Sequence, residues 1–138
     1  MKTFIIIILT MCAQTTFAQC DKSFLLNFSE ITEIRGKTIS PIKHGGNISF
    51  SKEQIIIKIL INGEEKLINS EIVSADCQWE TFLKNGTTVY KLLSGKGTDE
   101  PQDQATLTLE GKNGALKVTF RPPGAQLQFL ITQTNIAQ

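Results

Sequence analysis

The chain has 138 residues, 41% of them apolar, and carries 14 Lys and Arg against 13 Asp and Glu. That length suits one hydrophobic core, and the near-even charge leaves no electrostatic footprint for nucleic acid or an anionic membrane surface. A single histidine excludes His-rich zinc centres.

The first residues read as an export signal. Lys2 is a positive n-region, Phe4 to Leu9 an apolar h-region, and Thr16-Phe17-Ala18 a small-x-small cleavage motif. The expected cut after Ala18 leaves residues 19–138 as a single all-β domain, secreted or periplasmic. No membrane span is expected, because Thr10, Gln14 and Thr15 break the apolar run short of the about 20 residues a helix needs. Lipid anchoring at Cys20 is the minor alternative, since Gln19 stands where a lipoprotein signal places a small residue. Removing residues 1–18 also removes Cys12. Cys20 and Cys77 then form a candidate disulfide, which would restrict the unfolded chain by about 4 kcal/mol. Two unpaired thiols are the alternative.

Phe24, Leu26 and Phe28 alternate with Leu25, Asn27 and Ser29, so a first strand is expected there, continuing toward Ile31. Gly36, Pro41, Gly45 and Gly46 weaken the pattern from Arg35 to Asn47, with a short strand at Lys37 to Ser40. Ile48 and Phe50 resume a strand, and Ser51 to Gln54 turn the chain into its most apolar stretch. There Ile55 to Ile61 and Glu65 to Ile72 flank a hairpin signal. With Gly63 and Glu64 at the turn centre, Leu60 would face Leu67 and Ile59 would face Ile68, with Ile55, Ile57, Ile59 and Ile61 on one side.

Ser74-Ala75-Asp76 reads as a link to a second hairpin, centred on Asn85-Gly86, in which Trp79 would face Leu92 and Phe82 would face Val89. Ser94 to Gln104 is the clearest loop. Around Asn113-Gly114 a third hairpin would set Leu107, Leu109, Val118 and Phe120 on a buried face. Thr108, Glu110, Lys117 and Thr119 would then face water. Pro122-Pro123-Gly124 leads into a last strand with Leu127, Phe129 and Ile131 inward, and residues 133–138 are expected to fray.

No useful length shows a helical apolar stripe. The expected fold is an all-β antiparallel meander of roughly eight to ten strands, closing into a small barrel to hide its edges. A two-sheet β-sandwich is the alternative, and only Arg35 to Asn47 and Ser94 to Gln104 could supply its crossings.

Chemistry-bearing residues are sparse. His44 lies in a Lys-His-Gly-Gly loop without a Gly-x-Ser-x-Gly elbow, and Cys77 could pair with it only if free and near. Glu64, Glu65, Asp99, Glu100 and Asp103 lack the spacing of a calcium loop or a defined glycosidase pair. Gly95-Lys96-Gly97-Thr98 departs from the phosphate-loop pattern. Asn27, Asn47 and Asn85 each open a glycosylation acceptor triplet. No enzyme, metal or cofactor is expected from these residues.

The aromatics are the remaining lead. Phe24, Phe28, Phe50, Trp79, Tyr90, Phe120 and Phe129 fall at inward positions, where they would fill the barrel or line an apolar cavity. In plan the chain resembles the calycin barrels, the lipocalins and fatty-acid-binding proteins. It departs from the lipocalin Gly-x-Trp signature, having Phe24 to Phe28 on its first strand and its single Trp at 79, so no binding residue carries over. The functional expectation is an exported, non-enzymatic binding module taking a small apolar ligand against Phe28, Phe50, Trp79, Tyr90, Phe120 and Phe129. The alternative is a cell-envelope or extracellular interaction domain with a filled core, recognising a protein partner through loops 35–47 and 94–104.

Overall fold

A computed structural model describes residues 22–94 and 103–136. The expected leader, Cys12, Cys20 and most of the Ser94 to Gln104 loop lie outside the described residues. Among the described residues nine strands form one antiparallel sheet: β1 (Phe24–Arg35), β2 (Thr38–Ile42), β3 (Gly46–Phe50), β4 (Gln54–Ile61), β5 (Glu64–Thr81), β6 (Asn85–Ser94), β7 (Asp103–Lys112), β8 (Ala115–Arg121) and β9 (Gln126–Ile136). Pairing of β1 with β9 closes eight of them into a barrel and leaves β2 as an extra strand. The sandwich is thereby set aside. Closure removes most of the sheet edges, which is why a meander of alternating apolar residues settles into this form.

Inward side chains come from every barrel strand. Leu26, Ile48, Ile55, Leu107, Leu109 and Val118 are fully buried, as alternation places them. The third hairpin stands as read. Asn113 and Gly114 take positive φ (52° and 85°), and Leu107 faces Phe120 while Leu109 faces Val118. One wet-face residue differs: Thr119 is buried, flanked across the sheet by Thr108 and Gln128.

Two hairpin registers differ from expectation. In the isoleucine hairpin the turn is Asn62-Gly63, with φ of 52° and 79°, so Ile61 faces Glu64, Leu60 faces Glu65 and Ile59 faces Lys66. The slip is by two residues, an even number, so Ile55, Ile57 and Ile59 keep the inward face that the alternation gave them. In the second hairpin Asn85-Gly86 is not the turn. Phe82-Leu83-Lys84 forms it, Leu83 carries φ 60°, and the Lys84 N–H donates to the Thr81 carbonyl at 3.0 Å. Trp79 therefore faces Gly86, and Leu92 faces Ile72.

Ser74-Ala75-Asp76 is no link. β5 runs unbroken for 18 residues, with a bulge between Ile72 and Ser74 that restores alternation past Val73. Its first half pairs with β4 and its second half with β6. The short strand expected at Lys37 to Ser40 lies at Thr38–Ile42, and Asp103 and Gln104 belong to β7 rather than to a loop. Residues 133–136 do not fray, because they pair with Phe24 to Asn27 of β1.

Candidate functional site

The seven inward aromatics are all buried, at 2–6% exposure. Five of them pack on one another in two groups. Phe24 stacks on Phe50 with ring centroids 4.3 Å apart, Phe28 meets Phe129 edge-on at 4.8 Å, and Phe50 lies 5.7 Å from Tyr90. Around them Leu26, Ile48, Ile55, Leu107, Leu109 and Val118 have no exposed surface, so no water-sized space adjoins those side chains.

One end of the barrel carries the turns after β3, β5 and β7. It is sealed by aromatic groups: Phe82 packs edge-on against both Phe24 (5.5 Å) and Trp79 (5.7 Å), and Lys22 Nζ sits 4.9 Å from the centre of the Phe82 ring. Leu83, at the tip of the β5–β6 turn, is buried despite its left-handed backbone. That turn is held to the next one: Gly114 N–H donates to the Lys84 carbonyl at 3.2 Å, and Asn113 N–H donates to Asn85 Oδ1 at 3.0 Å.

Beneath this seal lies a small polar chain. Trp79 Nε1–H donates to Thr88 Oγ1 at 2.6 Å, and the Thr88 hydroxyl donates to Cys77 Sγ at 3.4 Å. Tyr90 is two residues further along β6. Burial pushes its phenol up to about 12, an effect that a hydrogen bond with Thr88 partly offsets. Ser70 also points inward, at 1% exposure, between Ile55 of β4 and Ser94 of β6.

The expected ligand-contacting residues Phe28, Phe50, Trp79, Tyr90, Phe120 and Phe129 thus share one interior. Sequence alternation did not reveal the Trp79–Thr88 bond, because it crosses strands whose register depends on an unrecognised turn. Cys77 is disulfide-bonded, and both other cysteines lie outside the described residues. It is therefore no thiol nucleophile, and His44, in the bend between β2 and β3, has no such partner. Among the described residues no cluster of His, Cys, Asp and Glu could hold a metal ion. Asp99 and Glu100 fall outside the described residues. Asn27 and Asn47 face each other across β1 and β3, with the Asn27 amide donating to Gln133 Oε1 at 3.2 Å.

The outer surface offers a different candidate. β2 pairs with β1 from Ile31 to Arg35 and, among the described residues, has no strand on its other edge, so it projects from the closed barrel. Thr38 to Pro41 are all exposed, and Ile39 reaches 66%. Pro41 has no N–H to offer, so this edge presents fewer donors for adventitious strand pairing. Glu33 and Arg35 form an ion pair where the projection leaves the barrel. A second apolar site, Leu60 and Leu67, lies diagonally across the outer face of β4 and β5 beside the Lys58–Glu65 pair (3.8 Å).

The chain matches no protein-family model, no curated protein and no solved structure.

Proposed function

We propose that the protein is an exported, non-enzymatic interaction domain whose barrel is a scaffold and whose working element is the β1–β2 projection, within the segment 35–47. The observation that carries this reading is β2 itself. Ordering five residues costs conformational entropy, yet Thr38 to Pro41 bury no side chain, and Ile39 is kept in water. An exposed loop element on a rigid sheet is where recognition commonly sits. The zero exposure of Leu26, Ile48, Ile55, Leu107, Leu109 and Val118 inside the barrel supports the same reading. A photo-crosslinking residue at position 39, used in the protein's native compartment, should give a discrete adduct, whereas the same residue at position 73 should not. Equal labelling from both positions, or none from 39, contradicts the assignment.

A second reading, an apolar ligand held inside the barrel, has one observation in its favour: the buried, inward Ser70 hydroxyl makes no side-chain hydrogen bond within the described residues. A ligand with a polar head would supply that partner. Native mass spectrometry of gently purified protein decides it, since a retained ligand mass that disappears in Ser70→Val favours this reading and apo mass alone counts against it.

A further inference from the structure

The outer edge of β2 presents a short, defined set of backbone groups. Only Gly36 and Lys37 separate Arg35 from its cross-strand partner Thr38, so those partners are a hydrogen-bonded pair, and Thr38 and Ser40 turn their N–H and C=O toward β1. Ile39 and Pro41 turn theirs the other way. Pro41 fits that phase, since a residue without an N–H belongs where its nitrogen faces away from the ladder. Among the described residues the edge therefore offers the Ile39 N–H, the Ile39 C=O and the Pro41 C=O, beside an Ile39 side chain that is 66% exposed. An extended segment running antiparallel to β2 can meet all of these backbone groups with its own.

Charge says what kind of segment fits. From Ile34 to Lys52 the sequence contains no Asp or Glu, while Arg35, Lys37, Lys43 and Lys52 lie within it, in a chain whose formal net charge is only +1. Arg35 is engaged by Glu33. Lys37 and Lys43, one at each end of β2, are exposed and join no ion pair among the described residues. A second copy of the chain is disfavoured for that reason. Two-fold pairing centred on Ile39 would set Lys43 opposite the other copy's Arg35, and the next register of the same phase would set it opposite the other copy's Lys37. Like charges placed directly opposite are destabilising. An anionic lipid or polysaccharide would meet the lysines but leave the Ile39 and Pro41 backbone groups unused.

We infer that the occupant of β2 is an extended acidic segment of another protein, added as an antiparallel strand with an apolar residue opposite Ile39 and carboxylates toward Lys37 and Lys43. The inference rests on the reading of the β1–β2 projection as the working element, and it names the chemistry of the partner. The two lysines are six residues apart (43 − 37), about 20 Å of extended chain, so the carboxylates stand at the two ends of a stretch of that length.

The probe is a synthetic peptide, acetyl-Glu-Thr-Thr-Thr-Val-Thr-Glu-amide, followed by NMR through the Ile39 amide of the purified protein. It should move that resonance saturably in the millimolar range or tighter, and the peptide with both Glu replaced by Gln should bind at least about fivefold more weakly. Methylating the Val nitrogen, the donor to the Ile39 carbonyl, should abolish the shift, whereas methylating the nitrogen of the preceding Thr, which faces away from β2, should not. The double variant Lys37→Glu, Lys43→Glu should reverse the preference, taking the peptide with Lys in place of both Glu, with Trp79 emission as the control for folding. Equal binding of the Glu and Gln peptides, or no saturable shift, overturns the proposal. So does a shift of the Ile39 amide by heparin or phosphatidylserine vesicles that the peptide cannot compete away, or a dimer joined at Ile39. Crosslinking at position 39 separates this proposal from the reading beneath it: a discrete adduct whose captured segment lacks Asp and Glu leaves that reading standing and overturns this one.

Discussion

Gly86 lies against Trp79 with no room for a side chain: a Cβ there would stand 2.5 Å from Trp79 Cα, 2.8 Å from its ring and 2.4 Å from the Gln78 carbonyl. Backbone atoms make most of that contact, and they cannot swing aside. The glycine also sits at φ 148°, a conformation that a residue with a side chain rarely adopts. Gly86→Ala should therefore cost about 3 kcal/mol or more. Gly63→Ala, at φ 79° with open space around it, should cost about 1 kcal/mol. Urea denaturation of the two variants under oxidising conditions measures the difference, and near-equal midpoints would refute the assigned contact.

The third hairpin gives a second contrast. Gly114→Val places a β-branched residue at φ 85° and should cost about 1–3 kcal/mol. Thr108→Val changes a partly exposed outward residue and should move stability by less than about 0.5 kcal/mol. Chevron or equilibrium urea data on both would show it, and a more damaging Thr108→Val would break the register.

The three hairpins also mark how far the residues alone can be read. Around Asn113-Gly114, turn chemistry and alternation agree, so a single register satisfied both. Asn62-Gly63 competes with Gly63-Glu64, one position on, which puts leucine opposite leucine. The resulting two-residue slip left every inward residue inward. Asn85-Gly86 misled for a tertiary reason: its glycine is required by the approach of Trp79, and nothing near it in sequence says so. The bulge at Val73 hid the continuity of β5 in the same way. The inward aromatics were legible from period-two alternation. The projection of β2 was not, since it depends on where β9 closes the barrel against β1.

Thr88→Val keeps the volume of the side chain but removes the acceptor for the Trp79 indole N–H in a buried site. The unsatisfied donor should cost about 1–3 kcal/mol. Trp79 is the chain's only tryptophan, so a shift of its emission in the folded state reports the lost bond directly. Unchanged stability together with unchanged emission would mean that the bond does not form.

Tyr90 predicts an alkaline limit to stability. Its phenol is raised from 10.0 to about 12 by burial, which penalises the charged phenolate. Below about pH 10 the folded and unfolded chains both hold the proton, and this contribution is fully present. As pH rises from about 10 toward about 12 the unfolded chain releases its proton first, so stability falls, by a total of about 3 kcal/mol once the folded phenol has also titrated. Tyr90 is the single tyrosine, so phenolate absorbance follows it alone. Titration near 10 in the folded protein would show the ring to be solvated.

The proposed function puts recognition on the β1–β2 projection and none in the barrel interior. Titrating the protein with an environment-sensitive apolar dye, and then with a fatty acid, while following Trp79 emission tests this most directly. Phe24, Phe50, Tyr90 and Trp79 already pack against one another or their neighbours, so the account predicts no saturable change through the micromolar range. A saturable change that Phe50→Ala or Tyr90→Ala abolishes would place a ligand among those rings and contradict it.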